Sequence, residues 1–235
     1  MDAKRGFMPE DERNFSPQAT LVMQKASRHI LYLINEGYDI KQASTFVGNH
    51  FLLSERQRLA IVRSLATDTQ LAERKGKLVP IDKLSGSEVW IDGFNTVITM
   101  EVMLNESILF ECMDGTIRDL AALRGTYRII PETKEAIRII LGTLQATEVR
   151  MARILLDEPV SNSGRLKALI TGIAEGYGLD LDIQVRKDVD RELYGKECVI
   201  TSDSVILDHC ASWVNLAAEC MRQRGRQGIK VWQLT

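Results

Sequence analysis

Val89-Trp90-Ile91 is an apolar run cut off by Asp92-Gly93, with Asn95 two residues further on. Such a run, closed by a turn signal and followed by sequence of helical length, predicts a buried central strand. Asp92 then stands at the strand's carboxyl end, where open parallel sheets place their ligands. Taken alone, the same Asp serves equally as a cap for the next helix, since Asp, Gly and Asn all favour turns. Two later strands end alike. Ile154-Leu155-Leu156 runs into Asp157, and Val199-Ile200-Thr201-Ser202 runs into Asp203. The repetition points to one sheet with an acidic edge.

The segments around these strands set the fold class. Asn95–Asn105, Pro131–Thr143, a segment opened by Ser161-Asn162-Ser163-Gly164 and running to Tyr177, and Val205–Met221 are predicted helices. Leu181–Val185 and Ile229–Leu234 are further strands. Ile108–Cys112 followed by Met113-Asp114-Gly115-Thr116 predicts a hairpin or short-strand turn, with Asp119 on a short helix over Ile117–Leu123. Strands alternating with helices predict an α/β fold, a three-layer parallel sheet with helices on both faces.

Ahead of it, residues 1–15 are polar and expected to lack regular structure. Ser16-Pro17 is a helix start, a cap followed by proline at the first helical position, and Gly37 is its stop. Asp39 with Gln42, and Ser54 with Gln57, are capping-box signatures for two more helices. Three short helices resemble a helix-turn-helix unit, though any small bundle has the same pattern. Arg56, Arg58 and Arg63 on the third would meet phosphates or form a solvated face. The polar stretch Lys75–Gly86 reads as a join, giving a small all-helical domain at 1–85 and the α/β domain at 86–235. The first part carries 13 Lys/Arg against 10 Asp/Glu and the second 17 against 22, a basic front weakly favouring a polyanionic partner.

Carboxylates gathered at one sheet edge repel unless protonated or neutralised. Asp92, Asp157 and Asp203, with Asp188 and Asp190 nearby, therefore suit Mg²⁺ or Mn²⁺, hard ions that keep water positions open for substrate phosphates. The Ser161–Gly164 turn offers backbone N–H groups to a phosphate or merely caps its helix. No G-x-G-x-x-G follows the first strand, and no P-loop or G-x-S-x-G elbow occurs, which weakens dinucleotide, P-loop and serine-hydrolase readings. Cys112, Cys198, Cys210 and Cys220 form no C-x-x-C pair and read as small buried hydrophobes. With no signal-peptide core or membrane-spanning stretch, a cytoplasmic protein without membrane contact is expected, compatible with a homo-oligomer.

Ile91-Asp92-Gly93-Phe94-Asn95, the strand ending in Asp157, the acids at 188–192 and Thr201-Ser202-Asp203 together resemble the PIN/NYN-type nuclease superfamily over about Glu88–Thr235. The helical part, with V-G-N-H-F-L-L-S-E-R-Q-R at 47–58, resembles the small module ahead of such a domain in an uncharacterised prokaryotic family. The resemblance implies metal-dependent cleavage of RNA. It implies that Asp92, Asp157, Asp203 and Asp190 or Asp188 hold the metal, with Asn95, Ser163 and Arg118 positioning the scissile phosphate. The insert Ser107–Arg128 departs from the pattern and leaves open whether Glu101, Asp114 or Asp119 joins the site. A catalytically silent PIN-like scaffold, or a phosphatase or nucleotide-processing enzyme, would use the same framework.

Overall fold

The computed structural model describes residues 4–121, 125–225 and 229–234. It begins with the helices α1 (Asp11–Asn14), α2 (Pro17–Asn35), α3 (Ile40–His50), α4 (Glu55–Ser64) and α5 (Asp68–Lys77). Local chemistry explains their starts. Ser16, Asp39, Ser54 and Thr67 each accept a backbone N–H from three residues on, satisfying one of the donors a helix leaves orphaned. Two corrections to the sequence reading fall here. Residues 11–14 are helical, and α5 fills a segment for which no element was expected and runs into the first residues of the expected join, Lys75–Lys77. Its Thr67–Gln70 capping box is complete, so the signal was present in the chain.

The α/β part follows as β1 (Glu88–Asp92), α6 (Gly93–Leu104), β2 (Leu109–Glu111), β3 (Ile117–Arg118), α7 (Thr133–Ala146), β4 (Met151–Asp157) and α8 (Ser163–Ala174). It continues through β5 (Asp180–Arg186), α9 (Val189–Leu193), β6 (Val199–Ile200), α10 (Ser204–His209), β7 (Trp213–Val214), α11 (Leu216–Arg224) and β8 (Val231–Gln233). The main sheet has five parallel strands in the order β5-β4-β1-β6-β7. The chain builds outward from β1 through β4 to β5, then returns to the other side of β1. The order therefore reverses between β1 and β6, where the helices that follow the two strands diverge and leave a crevice.

One face of the sheet is fully dressed. Val89, Ile91, Ala152, Ile154, Leu156, Ile183, Ile200 and Val214 share a core with α6, α7, α8 and α11. The opposite face is covered only in part, where Leu155, Val199 and Trp213 pack against α9 and α10. The rest of that face carries Arg153, bridging Glu88 and Asp182 at 2.7 Å each, and Trp90, whose ring lies under Arg153 and Lys196. Gly93 permits α6 to leave β1 at once. A Cβ there would sit 2.7 Å from the Leu155 carbonyl oxygen and 2.6 Å from the Leu156 side chain, so the abrupt Asp-Gly stop is a steric requirement of the turn from sheet to helix.

A second sheet, β3-β2-β8, lies outside the first. Its antiparallel β2–β3 pair is the expected hairpin. The short helix expected over Ile117–Leu123 is instead strand at Ile117–Arg118, and residues 122–123 of that expectation lie outside the described residues. The expected last strand exists, but it pairs with β2 rather than extending the main sheet. Its Trp232 and Leu234 join Phe110 and Cys112 of the hairpin in one core with α2, α3 and α4. The single helix expected over Val205–Met221 is really α10, β7 and α11. Asn215 caps α11 by accepting from the Ala218 N–H, and Trp213-Val214 is needed as the fifth strand. Among the described residues no helix is long and apolar enough to cross a membrane.

Candidate active site at the acidic strand edge

Because β1 lies between β4 and β6, Asp92 and Asp157 end neighbouring strands and Asp203 stands just past a third. Asp92 pairs in register with Leu155, so Asp157 reaches about 7 Å further along its strand. On the other side, Ile91 pairs with Ile200, which brings Thr201 beside Asp92. The Thr201 hydroxyl donates to Asp92 Oδ2 at 2.9 Å and itself accepts the Asp203 N–H at 3.0 Å. Asn95 Oδ1 accepts both the N–H and the hydroxyl of Ser202, at 2.9 and 3.0 Å. Thr201 and Ser202 are thus site residues that the sequence reading passed over. Their signal was the Thr-Ser-Asp motif itself, valued there only for its acid.

Each of the acids doubles as a helix cap or sits beside one. Asp92 accepts the Asn95 N–H at the start of α6, and Asp203 accepts those of Val205 and Ile206 at the start of α10. Asp188 caps α9, which exposes Asp190 on its first turn. Electrostatically the group is uncompensated. Burial, opposed by the Thr201 hydrogen bond and reinforced by Asp203 and Asp157, pushes Asp92 up to about 7. Asp157 is raised by desolvation and by Asp188, and Asp190 by partial desolvation and by Asp203, Asp157 and Asp188. Among the described residues none of Asp92, Asp157, Asp190 and Asp203 has an ion-pair partner.

Hard oxygen donors with unneutralised charge are the chemistry Mg²⁺ or Mn²⁺ requires. Among the described residues, however, no three Asp, Glu, His or Cys side chains stand close enough to form a ready cage. The donor set therefore fits an ion held by one or two carboxylates and completed by water, the usual habit of Mg²⁺.

The raised Asp92 has a consequence for stability. The folded chain keeps that proton up to about pH 7, whereas the unfolded chain releases it near pH 4. The folded state binds more protons in this window, so stability falls as pH rises. The contribution is complete below about pH 4, is lost through about pH 7, and amounts to about 4 kcal/mol. Urea unfolding across pH 4–8 should give this decline, and Asp92→Asn should flatten most of it. Equal slopes in the two proteins would contradict the assignment.

The other expected site residues divide. A cleft of about 170 Å³ beside the acids is lined by Val62, Arg63, Asn95, Arg118, Asp119 and Ser202–Ser204. Asp119 accepts the Thr99 hydroxyl at 3.0 Å and the Ala121 N–H at 2.8 Å, and Arg63 reaches it from α4. Arg118 is in the cleft wall, but its guanidinium is spent on the Ser202 and Arg63 carbonyls and on Asp114. The Asp114 side chain is 1% exposed and held by Arg74 and Arg118. Burial alone would raise its carboxyl, yet Arg118, Thr116 and Arg74 outweigh burial and hold it below the ordinary range. Glu101 is fully buried near the far end of α6, bound to Arg5 at 2.8 Å and to the Tyr127 hydroxyl at 2.7 Å. Glu101 and Asp114 are thus structural ions outside the acidic group. Ser163 begins α8 on the same sheet edge as Asp157. Its turn is fastened by Ser161 and Asn162 to the Tyr127 backbone, with Asn162 at φ 64°.

Of the three α4 arginines, Arg63 alone faces the cleft. Arg56 is locked to Asp11 and to the carbonyls of Gly6 and Leu120. Arg58 turns away to the Leu53 carbonyl and Asn49. Helical geometry turns Arg58 away from the side that Arg56 and Arg63, seven apart, share, and Asp11 with the Gly6 and Leu120 carbonyls takes up Arg56. The expected three-arginine phosphate face is corrected accordingly.

Compared with known proteins, residues 81–219 match the domain of unknown function DUF5616, and residues 22–77 match the protein of unknown function DUF434. An uncharacterized protein of Methanocaldococcus jannaschii is 34% identical over 201 residues, covering 85% of this chain and 96% of that one. No solved structure matches.

Proposed function

The chain belongs to the DUF5616 family, and we propose that its acidic strand edge is a PIN-like, Mg²⁺- or Mn²⁺-dependent ribonuclease centre. One observation carries this role. Asp92 is buried at the end of the central strand, faced by Asp203 and Asp157, with no cationic side chain among the described residues paired to the group. A structural role alone gives no return for so much repulsion. Asp92 and Asp203 are the residues that would hold the ion, with Asp157 and Asp190 closing the site through water. When bound, the ion would lower the pKa of a water and offset charge developing on a phosphodiester.

The chain's own groups supply the positioning. The Thr201 hydroxyl fixes one Asp92 oxygen and leaves the other directed to the helix cap. The Asn95 carbonyl is tied to Ser202, while its amide nitrogen, without a partner among the described residues, is the group that would meet a phosphate oxygen. Arg63 and Asp119 flank the cleft from the helical module and the insert. An inactive scaffold is the second possibility, favoured by the lack of a ready three-ligand cage among the described residues.

The deciding experiment pairs a thermal-shift titration with a cleavage assay on labelled RNA. Mn²⁺ should raise the thermal midpoint by mass action on the folded state, and RNA should be cut only in its presence. A shift without cleavage of RNA, but with hydrolysis of a small phosphate ester, would move the function to a phosphatase. No shift with either ion would leave the scaffold.

A further inference from the structure

We propose that the groove between α2 and α3, away from the acidic edge, binds single-stranded nucleic acid through its bases and backbone. The groove has a volume of about 460 Å³ and is lined by His29, Phe46, Val47, Asn49, His50 and Phe51. His29 and His50 meet the Phe51 ring edge-on, with centroids 5.5 and 4.9 Å away. Phe46 is 75% exposed, although nothing in the fold requires a phenyl ring in water. Planar side chains around an open slot suit stacking with unpaired bases, which every nucleobase can supply.

Charge selects this occupant over an apolar peptide. The chain has 32 Asp and Glu in 235 residues, yet neither α2 nor α3 contains one. On α2, Lys25, Arg28, His29 and Tyr32 recur at helical spacing along one exposed stripe. The Lys25 and Arg28 side chains make no hydrogen bond or ion pair among the described residues, in contrast to the three arginines of α4, which are all engaged. Lys41 opens α3 in the same state. Unpaired cations beside exposed rings form the electrostatic and stacking footprint of a strand-binding surface. The groove thus takes over the polyanion-binding role that the α4 arginines cannot fill.

Fluorescence anisotropy with a labelled oligouridine of about 12 nucleotides, in EDTA, reads binding without any cleavage. Phe46→Ala should weaken binding about tenfold, the loss of one stacked base. Its exposure means that the fold should survive the change. Lys25→Gln with Arg28→Gln should weaken binding and reduce the slope of log K against log salt by about 1.4. EDTA removes any ion from the acidic edge, so failure of the nuclease role leaves this test intact. Wild-type protein that binds no oligonucleotide, or Phe46→Ala and wild type that bind equally, would overturn the proposal. So would sedimentation in which Phe46→Ala dissociates a dimer without altering oligonucleotide affinity, since the groove would then be a contact between copies.

Discussion

Asp203→Asn and Asp92→Asn should each lower Mn²⁺-dependent RNA cleavage by about 10²–10⁴-fold, the range for removing one charged catalytic group. The fold should persist in both. Each acid caps a helix, Asp92 at α6 and Asp203 at α10, and Asn is an equally good cap. The substitution therefore removes charge while keeping volume and the capping acceptor. Asp92→Asn should even stabilise the metal-free protein above pH 7, because it deletes a buried charge that no cation among the described residues neutralises. The measurement is initial cleavage rate at saturating Mn²⁺, alongside urea midpoints. Activity within a few-fold of wild type for either variant would remove the acidic edge from the chemistry. Asp188→Asn is the internal comparison. Its side chain is exposed and pairs with Arg191 at 3.3 Å, so its effect should be much smaller.

Arg74→Met should cost about 3–5 kcal/mol, the usual penalty for leaving a buried ion without its partner. Arg74 is 2% exposed and binds Asp114 at 2.7 Å and Asp208 at 2.8 Å. Methionine fills the space of the stem but leaves the Asp114 side chain, 1% exposed, with Arg118 as its remaining cation among the described residues. Asp208 is partly solvated and should contribute less of the loss. The double variant Arg74→Met/Asp114→Asn should recover part of the stability, giving a coupling energy in a double-mutant cycle. Urea unfolding of the four proteins measures it. Additive losses would mean that the pair is not coupled. The network also anchors the loop carrying Asp203, through the Ser204 carbonyl at 3.4 Å, so weakened Mn²⁺ binding should accompany the loss of stability.

These two sites differ in how far the chain announces them. The acidic edge was legible because its signals are local: an apolar run, then Asp-Gly, repeated in kind at Asp157 and Asp203. Central placement of Val89–Ile91 followed from residues apolar on both faces, and the β4-β1-β6 order agrees with it. Helix starts at Ser16, Asp39 and Ser54 were equally local. The ion networks were not legible, because Arg5 meets Glu101 across 96 positions and Arg74 meets Asp114 across 40. No pattern within a window of a few turns can join such partners, so Glu101 and Asp114 looked like spare acids. The strand β7 was hidden for another reason. Two residues inside an apolar, helix-forming stretch carry no period, and only the open edge of β6 calls for them. Phe46 and the uncharged stretch around it were visible as composition but gave no reason to look until the structure placed them beside His29 and His50.

The strand β8 ties residues 231–233 to the hairpin, while Trp232 packs against Phe110 and Phe15 and donates to the Thr20 hydroxyl across 212 positions. Closing so wide a loop is entropically slow to reach and late to be rewarded. During synthesis, the first helices emerge with Phe15 and Thr20 lacking the Trp232 side chain that finally meets them. The α2 surface that meets Trp232 is therefore sealed only after the α/β segments have been made, which makes it a natural target of chaperones in the interval.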